Sequence, residues 1–314
     1  MKPLLTFMLC LSTMQIVYAQ TLVERLGYKK TDRLLIINND DAGMCHAANS
    51  ATMKGMEEGM ISSATIMMPC PWSNEMIVYA KENPDKGFGV HLTLTAEWKN
   101  YRWSTLTSRE QVPGLYDPQG YMWKDVEEVY AASNTQEALI EGRAQIQKAL
   151  DAGVPVTHID SHMGTYQYAP EYMHIYLQLA EEYNLPVRMP SAATLQRMGA
   201  PDFREICRQK GIICPDYFIH EEFADYKEEN LEQFWTNYLK ALKPGVTEIY
   251  IHGAVEGDEI RAITGSAPTR IKELAFFSSD QLKQLLKEEG IIVISYRPLF
   301  ELQRKEGAGK TANK

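Results

Sequence analysis

The chain has few cysteines, no basic cluster and no apolar run long enough to cross a bilayer, and each of these shortages excludes a class of function. Its five cysteines are Cys10, Cys45, Cys70, Cys207 and Cys214. None stand as Cys-x-x-Cys, so a cysteine-built structural zinc site is excluded. Cys207 and Cys214 leave two options, a disulfide after export or buried free thiols. With 41 acidic against 32 basic side chains, the net charge is -9. A nucleic-acid partner needs a clustered basic surface, which is missing here, and the same balance argues against attachment to anionic lipid. A neutral or weakly cationic substrate fits better. No low-complexity stretch interrupts the chain, and no Gly-rich phosphate loop follows its first apolar strand.

The opening MKPLLTFMLCLSTMQIVYAQ has one lysine, an apolar run from Leu4 to Val17 and the small-residue end Val17-Tyr18-Ala19. This pattern reads as a cleavable signal peptide over residues 1–19. The run is shorter than the ~20 residues a spanning helix needs. The expectation is therefore an exported protein, periplasmic or secreted, with no membrane span after cleavage. Cys10 follows large Leu9 within the run and does not read as a lipid-attachment site.

What remains is a repeating unit of short apolar strand and amphipathic helix. Candidate strands are 34–38, 63–68, 88–94, 156–160, 186–189, 217–220, 248–252 and 291–295, rich in Val and Ile and bounded by Gly, Pro, Asn or Asp. Helical periodicity lies at 47–58, 135–152, 170–182, 231–242 and 279–289. Apolar strands alternating with helices imply a parallel sheet covered on its faces. About eight units predict an α/β fold with one (β/α) barrel over residues 20–302, regular or distorted or short of a strand. A doubly wound open sheet is the alternative. Residues 303–314 read as a polar, disordered tail. The stretch 99–129 reads as an insertion.

Polar residues gather where strands of such a barrel end. The first strand runs into Asp40-Asp41, the third carries His91, the fourth reads Thr157-His158-Ile159-Asp160-Ser161-His162, and the seventh ends at His252. Adjacent aspartates after a buried strand are costly unless solvated, paired or cation-bound, although as helix caps they would be unremarkable. A histidine in an apolar run, such as His91, is most often a satisfied core residue. His158, Asp160 and His162 share one face of a regular strand by their even spacing. Taken together, these strand ends favour a metal site. One Asp with two His suits one divalent ion, Zn²⁺ before Mg²⁺, Mn²⁺, Co²⁺ or Ni²⁺. Open positions on such an ion would serve hydrolysis.

At these residues the chain resembles the YdjC-like family of carbohydrate deacetylases. The resemblance rests on Leu34-Leu-Ile-Ile-Asn-Asn-Asp40-Asp41-Ala-Gly43, Ser62-Ser-Ala-Thr-Ile-Met-Met68, Gly89-Val-His91-Leu-Thr-Leu-Thr95 and Thr157-His-Ile-Asp-Ser-His162. Pro186-Val-Arg188-Met-Pro190, Glu248-Ile-Tyr-Ile-His252 and Ile294-Ser-Tyr-Arg297 extend it to nearly the whole mature chain. It implies a deacetylase-type barrel that removes acetyl groups from N-acetylated amino sugars. It also implies that Asp41, His91 and His162 hold the metal, that Asp40 activates water and that His252 is the general acid. Arg188 would orient Asp40 by a charge-assisted pair, or else serve a structural role at the surface. Arg261 and Arg270 are left structural.

Three departures stand out: His162-Met163-Gly164-Thr165-Tyr166 replaces a histidine-rich stretch, His252-Gly253-Ala254 replaces His-Pro-Gly, and polar His220-Glu221-Glu222 follows the sixth strand. His220 is either a substrate contact or an ordinary exposed residue. In the insertion, Trp98, Tyr101, Trp103, Tyr116, Tyr121 and Trp123 offer stacking faces for sugar rings, with Trp103 singled out. The alternative is that they close the barrel or form a homodimer contact. Two rival functions remain: a metal-dependent hydrolase of another ester, amide or phosphoester, and a non-catalytic glycan-binding protein.

Overall fold

The structure is a computed structural model that describes residues 20–219 and 226–311. The expected signal segment and His220 lie outside these residues. Seven strands form one parallel sheet: β1 Arg33–Ala42, β2 Ser63–Ile66, β3 Gly87–Leu92, β4 Val156–Ser161, β5 Tyr217–Phe218, β6 Gly245–Ile251 and β7 Ile291–Val293. Their order is β4-β3-β2-β1-β6-β5, with β7 also on β1. β1 is long enough to serve three neighbours. Residues Arg33–Leu35 pair with β7, Asn38–Ala42 with β2, and its other edge follows β6 from Arg33 to Asn39.

The sheet is a half-barrel with helices over it, a (β/α) barrel that does not close. At its β4 edge, the expected strand 186–189 is reduced to a single bridge, Ile159 with Val187. Pro186 and Pro190 bracket that segment, and neither has an N–H for a ladder. It is held instead by Ile159 donating to the Pro186 carbonyl and Arg188 donating to the Ile159 carbonyl, each at 3.1 Å. The result still matters for the site, because it fixes Arg188 beside β4.

Strand alternation sorts the interior. On one face of β1, Leu35 and Ile37 join Ile249 and Ile251 of β6 against helices 231–240, 267–277 and 280–288. On the other face, Leu34 and Ile36 pack with Val246 and Tyr296, and the following Asn38 and Asp40 are polar yet fully covered. The helices over β2–β4 span Ser73–Glu82, Thr135–Asp151 and Pro170–Tyr183. Asn134 caps the second of them, its side chain accepting from the Glu137 N–H.

The chain end departs from expectation. A helix runs Arg297–Thr311 into the segment expected as a disordered tail. Gln303 is buried there, accepting from the Ile213 N–H at 2.7 Å and donating to the Asn184 side chain, and these bonds tie the helix to the body. No helix among the described residues is long and apolar enough to cross a membrane.

Candidate metal centre

Two adjacent residues of a regular strand point to opposite faces, yet Asp40 and Asp41 line the same cavity. The backbone supplies the reason. The β1–β2 register slips between Asn39 and Ala42, and Asp41 takes a positive φ of 62°. A bulge of this kind re-aims a side chain, and a non-glycine residue in the left-handed region persists only where its surroundings impose it.

Asp41 meets His91 from β3 and His162 from the turn after β4. His91 Nε2 lies 3.4 Å and His162 Nδ1 3.2 Å from Asp41 Oδ1, and one donor atom from each of the three residues falls within 4.8 Å of the others. The second oxygen of Asp41 accepts from Arg270 Nη2 at 2.8 Å, whereas Oδ1 is buried without a hydrogen-bond partner. Its neighbours are the two histidine nitrogens, and a buried carboxylate oxygen is costly without a cationic or hydrogen-bonding partner. With the two histidine nitrogens it makes three converging donors, a set that fits a divalent cation.

Each histidine has a carboxylate on its far nitrogen. His91 Nδ1 is 2.6 Å from Asp160 Oδ1, and His162 Nε2 is 3.0 Å from Glu97 Oε2. Such partners fix ring orientation and tautomer in metal sites. Burial opposes charge on both rings, but the carboxylates outweigh it and raise His91 to about 10 and His162 to about 9. Asp40, His91 and Asp160 form a second cluster. Its carboxylates, however, are already engaged: Asp40 by Arg188 and Asn38, Asp160 by Arg188 and Thr65.

Arg188 organises the polar floor. Its Nη1 and Nη2 donate to Asp40 Oδ2 and Oδ1 at 2.6 and 2.8 Å, and its Nε donates to Glu248 Oε1 at 2.8 Å. The guanidinium lies 5.1 Å from the ring centres of both Phe218 and Tyr250. Burial would raise the Asp40 pKa, but Arg188 overrides it and holds the carboxyl at about 2. For Glu248 burial prevails over Arg188 and Tyr296, and its pKa rises to about 7. His252 follows β6 at the cavity wall. Burial pulls it down to about 4 despite the neighbouring Asp41.

The resulting cavity encloses about 470 Å³ and is shared by Asp40, Asp41, His91, His162, Arg188 and His252. A family profile described as YdjC-like protein matches residues 34–288. The chain belongs to the YdjC-like family. It is 29% identical over 265 residues to a carbohydrate deacetylase of Thermoanaerobacter pseudethanolicus, covering 84% of this chain and 98% of that one. It is 31% identical over 272 residues to a carbohydrate deacetylase of Thermus thermophilus, covering 85% and 94%. A crystal structure from Enterococcus faecalis V583, named for a proposed cellobiose-phosphate cleavage, superposes with a TM-score of 0.76 at 27% identity, covering 86% of this chain and 99% of that one.

Two residues expected beside the site take other places. His158 lies beneath the floor, stacked on Tyr296 at 3.7 Å and 6°, with Nε2 3.3 Å from Asn38 Oδ1. Burial, followed by Arg188, lowers its pKa, and its ring packs where a Cβ on Gly89 would sit. Trp103 is 4% exposed and packs edge-on to Trp98 and Tyr101. Its ring belongs to a buried cluster with Met44, Met67, Ala254 and Ile260 and lies 6.3 Å edge-on from the His162 ring, so it backs that histidine and the sugar face expected of it is not on the cavity wall. The wall instead carries Tyr168, Phe218 and Tyr250.

Sequence reading passed over Glu97, Glu248 and the role of Arg270. A carboxylate within the buried strand Gly245–Ile251 was the available signal for Glu248. Glu97 and Arg270 lie in stretches with no periodic or motif signal, and only the fold brings them to His162 and Asp41. Cys207 and Cys214 are free thiols.

Proposed function

We propose that this chain is a metal-dependent carbohydrate deacetylase that hydrolyses the acetamide of N-acetylated amino sugars or short oligosaccharides. One observation carries the reading: the buried Asp41 Oδ1 faces only His91 Nε2 and His162 Nδ1, in a chain whose relatives are carbohydrate deacetylases. Asp41, His91 and His162 would hold the ion, with Zn²⁺ the best match to the donor set. A bound divalent ion there supplies Lewis-acid polarisation of the acyl carbonyl and acidifies water.

The protein's own groups complete the reaction. Asp40 is ionised at neutral pH and pinned by Arg188, so it presents a fixed carboxylate that accepts the proton of the attacking water. His252 stands neutral before reaction, so it serves the departing amine only after taking up the proton that Asp40 accepts from the water, which it then passes to the amine nitrogen. Water adds to the acyl carbon, the C–N bond breaks, and acetate and the free amino sugar leave. The opening signal pattern supports export of this activity from the cytoplasm, which cell fractionation tests.

The functional test is acetate release from N-acetylated chitooligosaccharides by zinc-reconstituted protein, with Asp40→Asn and His91→Ala as controls. Release that needs the ion and falls by orders of magnitude in both variants supports the proposal. Glycan binding without release would instead identify a binding protein on this fold.

A further inference from the structure

The floor of the cavity is polar, but one stretch of its wall is built differently. Immediately after His162 the chain turns through Met163 at φ 51° and Gly164 at φ 67°, both in the left-handed region. Met163 has no glycine-like freedom there, so the surrounding bonds must impose the turn. They are present: the Thr165 N–H and Oγ1 both donate to the His162 carbonyl, the Tyr166 N–H donates to Ser161 Oγ, and the Gln167 N–H donates to the Gly164 carbonyl. Below the turn, Gln167 Nε2 donates to the Arg188 carbonyl at 3.0 Å.

The turn puts two large apolar side chains into the open at the cavity. Met163 is 39% and Tyr168 42% exposed, and both line the cavity beside His162. A Cβ on Gly164 would come within 2.7 Å of the Tyr168 ring. The ring therefore lies flat against the glycine, which leaves a continuous shelf of thioether, backbone and aromatic face. Phe218 and Tyr250, the other aromatic residues on the wall, are turned to Arg188. Polar Glu97, Glu127 and Gln167 line the same cavity.

We propose that Met163, Gly164 and Tyr168 form the platform on which a pyranose ring of the substrate stacks. The inference rests on the carbohydrate reading given above. A pyranose has an apolar C–H face and a rim of hydroxyls, which matches a flat apolar shelf in a cavity that also carries carboxylates and an amide. An acyl chain would need an apolar surround, and a phosphorylated ligand would meet the two glutamates as repulsion. Because the shelf begins at the residue after His162, a ring lying on it is held next to the metal cradle. Tyr168 is thus a specificity-determining residue.

The test is calorimetric titration of fully deacetylated chitotriose into zinc-loaded full-length protein, run for wild type, Tyr168→Ala, Tyr168→Phe and Gly164→Ala. Chitotriose lacks the scissile acetyl groups, so binding is read without turnover. Tyr168→Ala is expected to weaken binding by about three- to ten-fold, the usual worth of one ring face. Gly164→Ala is expected to weaken it as well, by displacing the ring. Tyr168→Phe should bind as wild type does, and zinc affinity should be the same in all four. Unchanged binding in Tyr168→Ala, equal loss in Tyr168→Phe, or no binding by wild type each overturns the platform. Acetate release from the acetylated trimer, measured on the same wild-type preparation, reports separately on the deacetylase reading. Binding with the expected losses but no release would leave the platform standing without that activity.

Discussion

Arg188 grips Asp40 with both Nη groups, at 2.6 and 2.8 Å, while the same guanidinium meets Glu248 and Asp160. One cation thus faces three buried carboxylates, and the floor of the site depends on it.

Arg188→Met is accordingly expected to leave these carboxylates uncompensated. Removing one partner of a buried ionic group typically costs about 3–5 kcal/mol. Urea unfolding checks this, and a loss under about 1 kcal/mol would mean the network tolerates the missing charge. Arg188→Lys keeps the charge but not the fork, so it should restore part of the stability while still misplacing Asp40.

Asp41→Ala removes the carboxylate at the centre of the cradle. Wild-type protein should gain about 2.7 kcal/mol when zinc is present at a hundred-fold over its Kd, and the variant should gain nothing at the same concentration. Thermal unfolding with and without zinc, after chelator treatment, reads the difference. An equal gain in both proteins would place the ion elsewhere.

The carboxylates behind the two histidines should matter almost as much as the histidines. Asp160→Asn and Glu97→Gln are each expected to lower zinc affinity by about 10–100-fold. Competition with a chromogenic chelator measures this. Glu97→Gln is the cleaner case, because Glu97 lines the cavity whereas Asp160 also holds Thr65 and Arg188.

The raised pKa values of His91, about 10, and His162, about 9, give metal-free protein a definite pH dependence. Each folded value lies above the ordinary value near 6.5. The stability from these charged pairs is therefore complete below about pH 6.5 and is lost as pH rises through about 9 to 10. Zinc requires neutral rings, so its affinity should move the opposite way, rising with pH up to the same range and releasing protons on binding. Chelator competition from pH 6 to 10 checks the sign, and zinc affinity that does not change with pH would contradict the paired histidines.

Gly89 is required by its neighbour. A Cβ there would stand 2.7 Å from the His158 ring, which Tyr296 backs at 3.7 Å. Gly89→Ala should thus destabilise the fold by roughly 1–3 kcal/mol, an overpacking cost, measured by thermal or chemical unfolding.

The sequence by itself determined the parallel α/β scaffold, because apolar runs bounded by breakers and followed by amphipathic stretches reflect local periodicity. It also brought forward Asp40, Asp41, His91 and His162 as candidates, since such residues are costly in buried strands unless paired or cation-bound. Tertiary structure decided the rest. The barrel stays open where the segment between Pro186 and Pro190 keeps a single bridge to Ile159, the strand-short form that the sequence reading allowed without saying which strand would be lost. The insertion's tryptophans resemble a sugar face in composition, and only packing shows Trp103 buried behind His162 among residues from distant elements. Glu97 and Arg270 reach His162 and Asp41 across 65 and 229 residues of chain. No local pattern encodes contacts at that separation, because they exist only once the sheet has curved and brought its loops together.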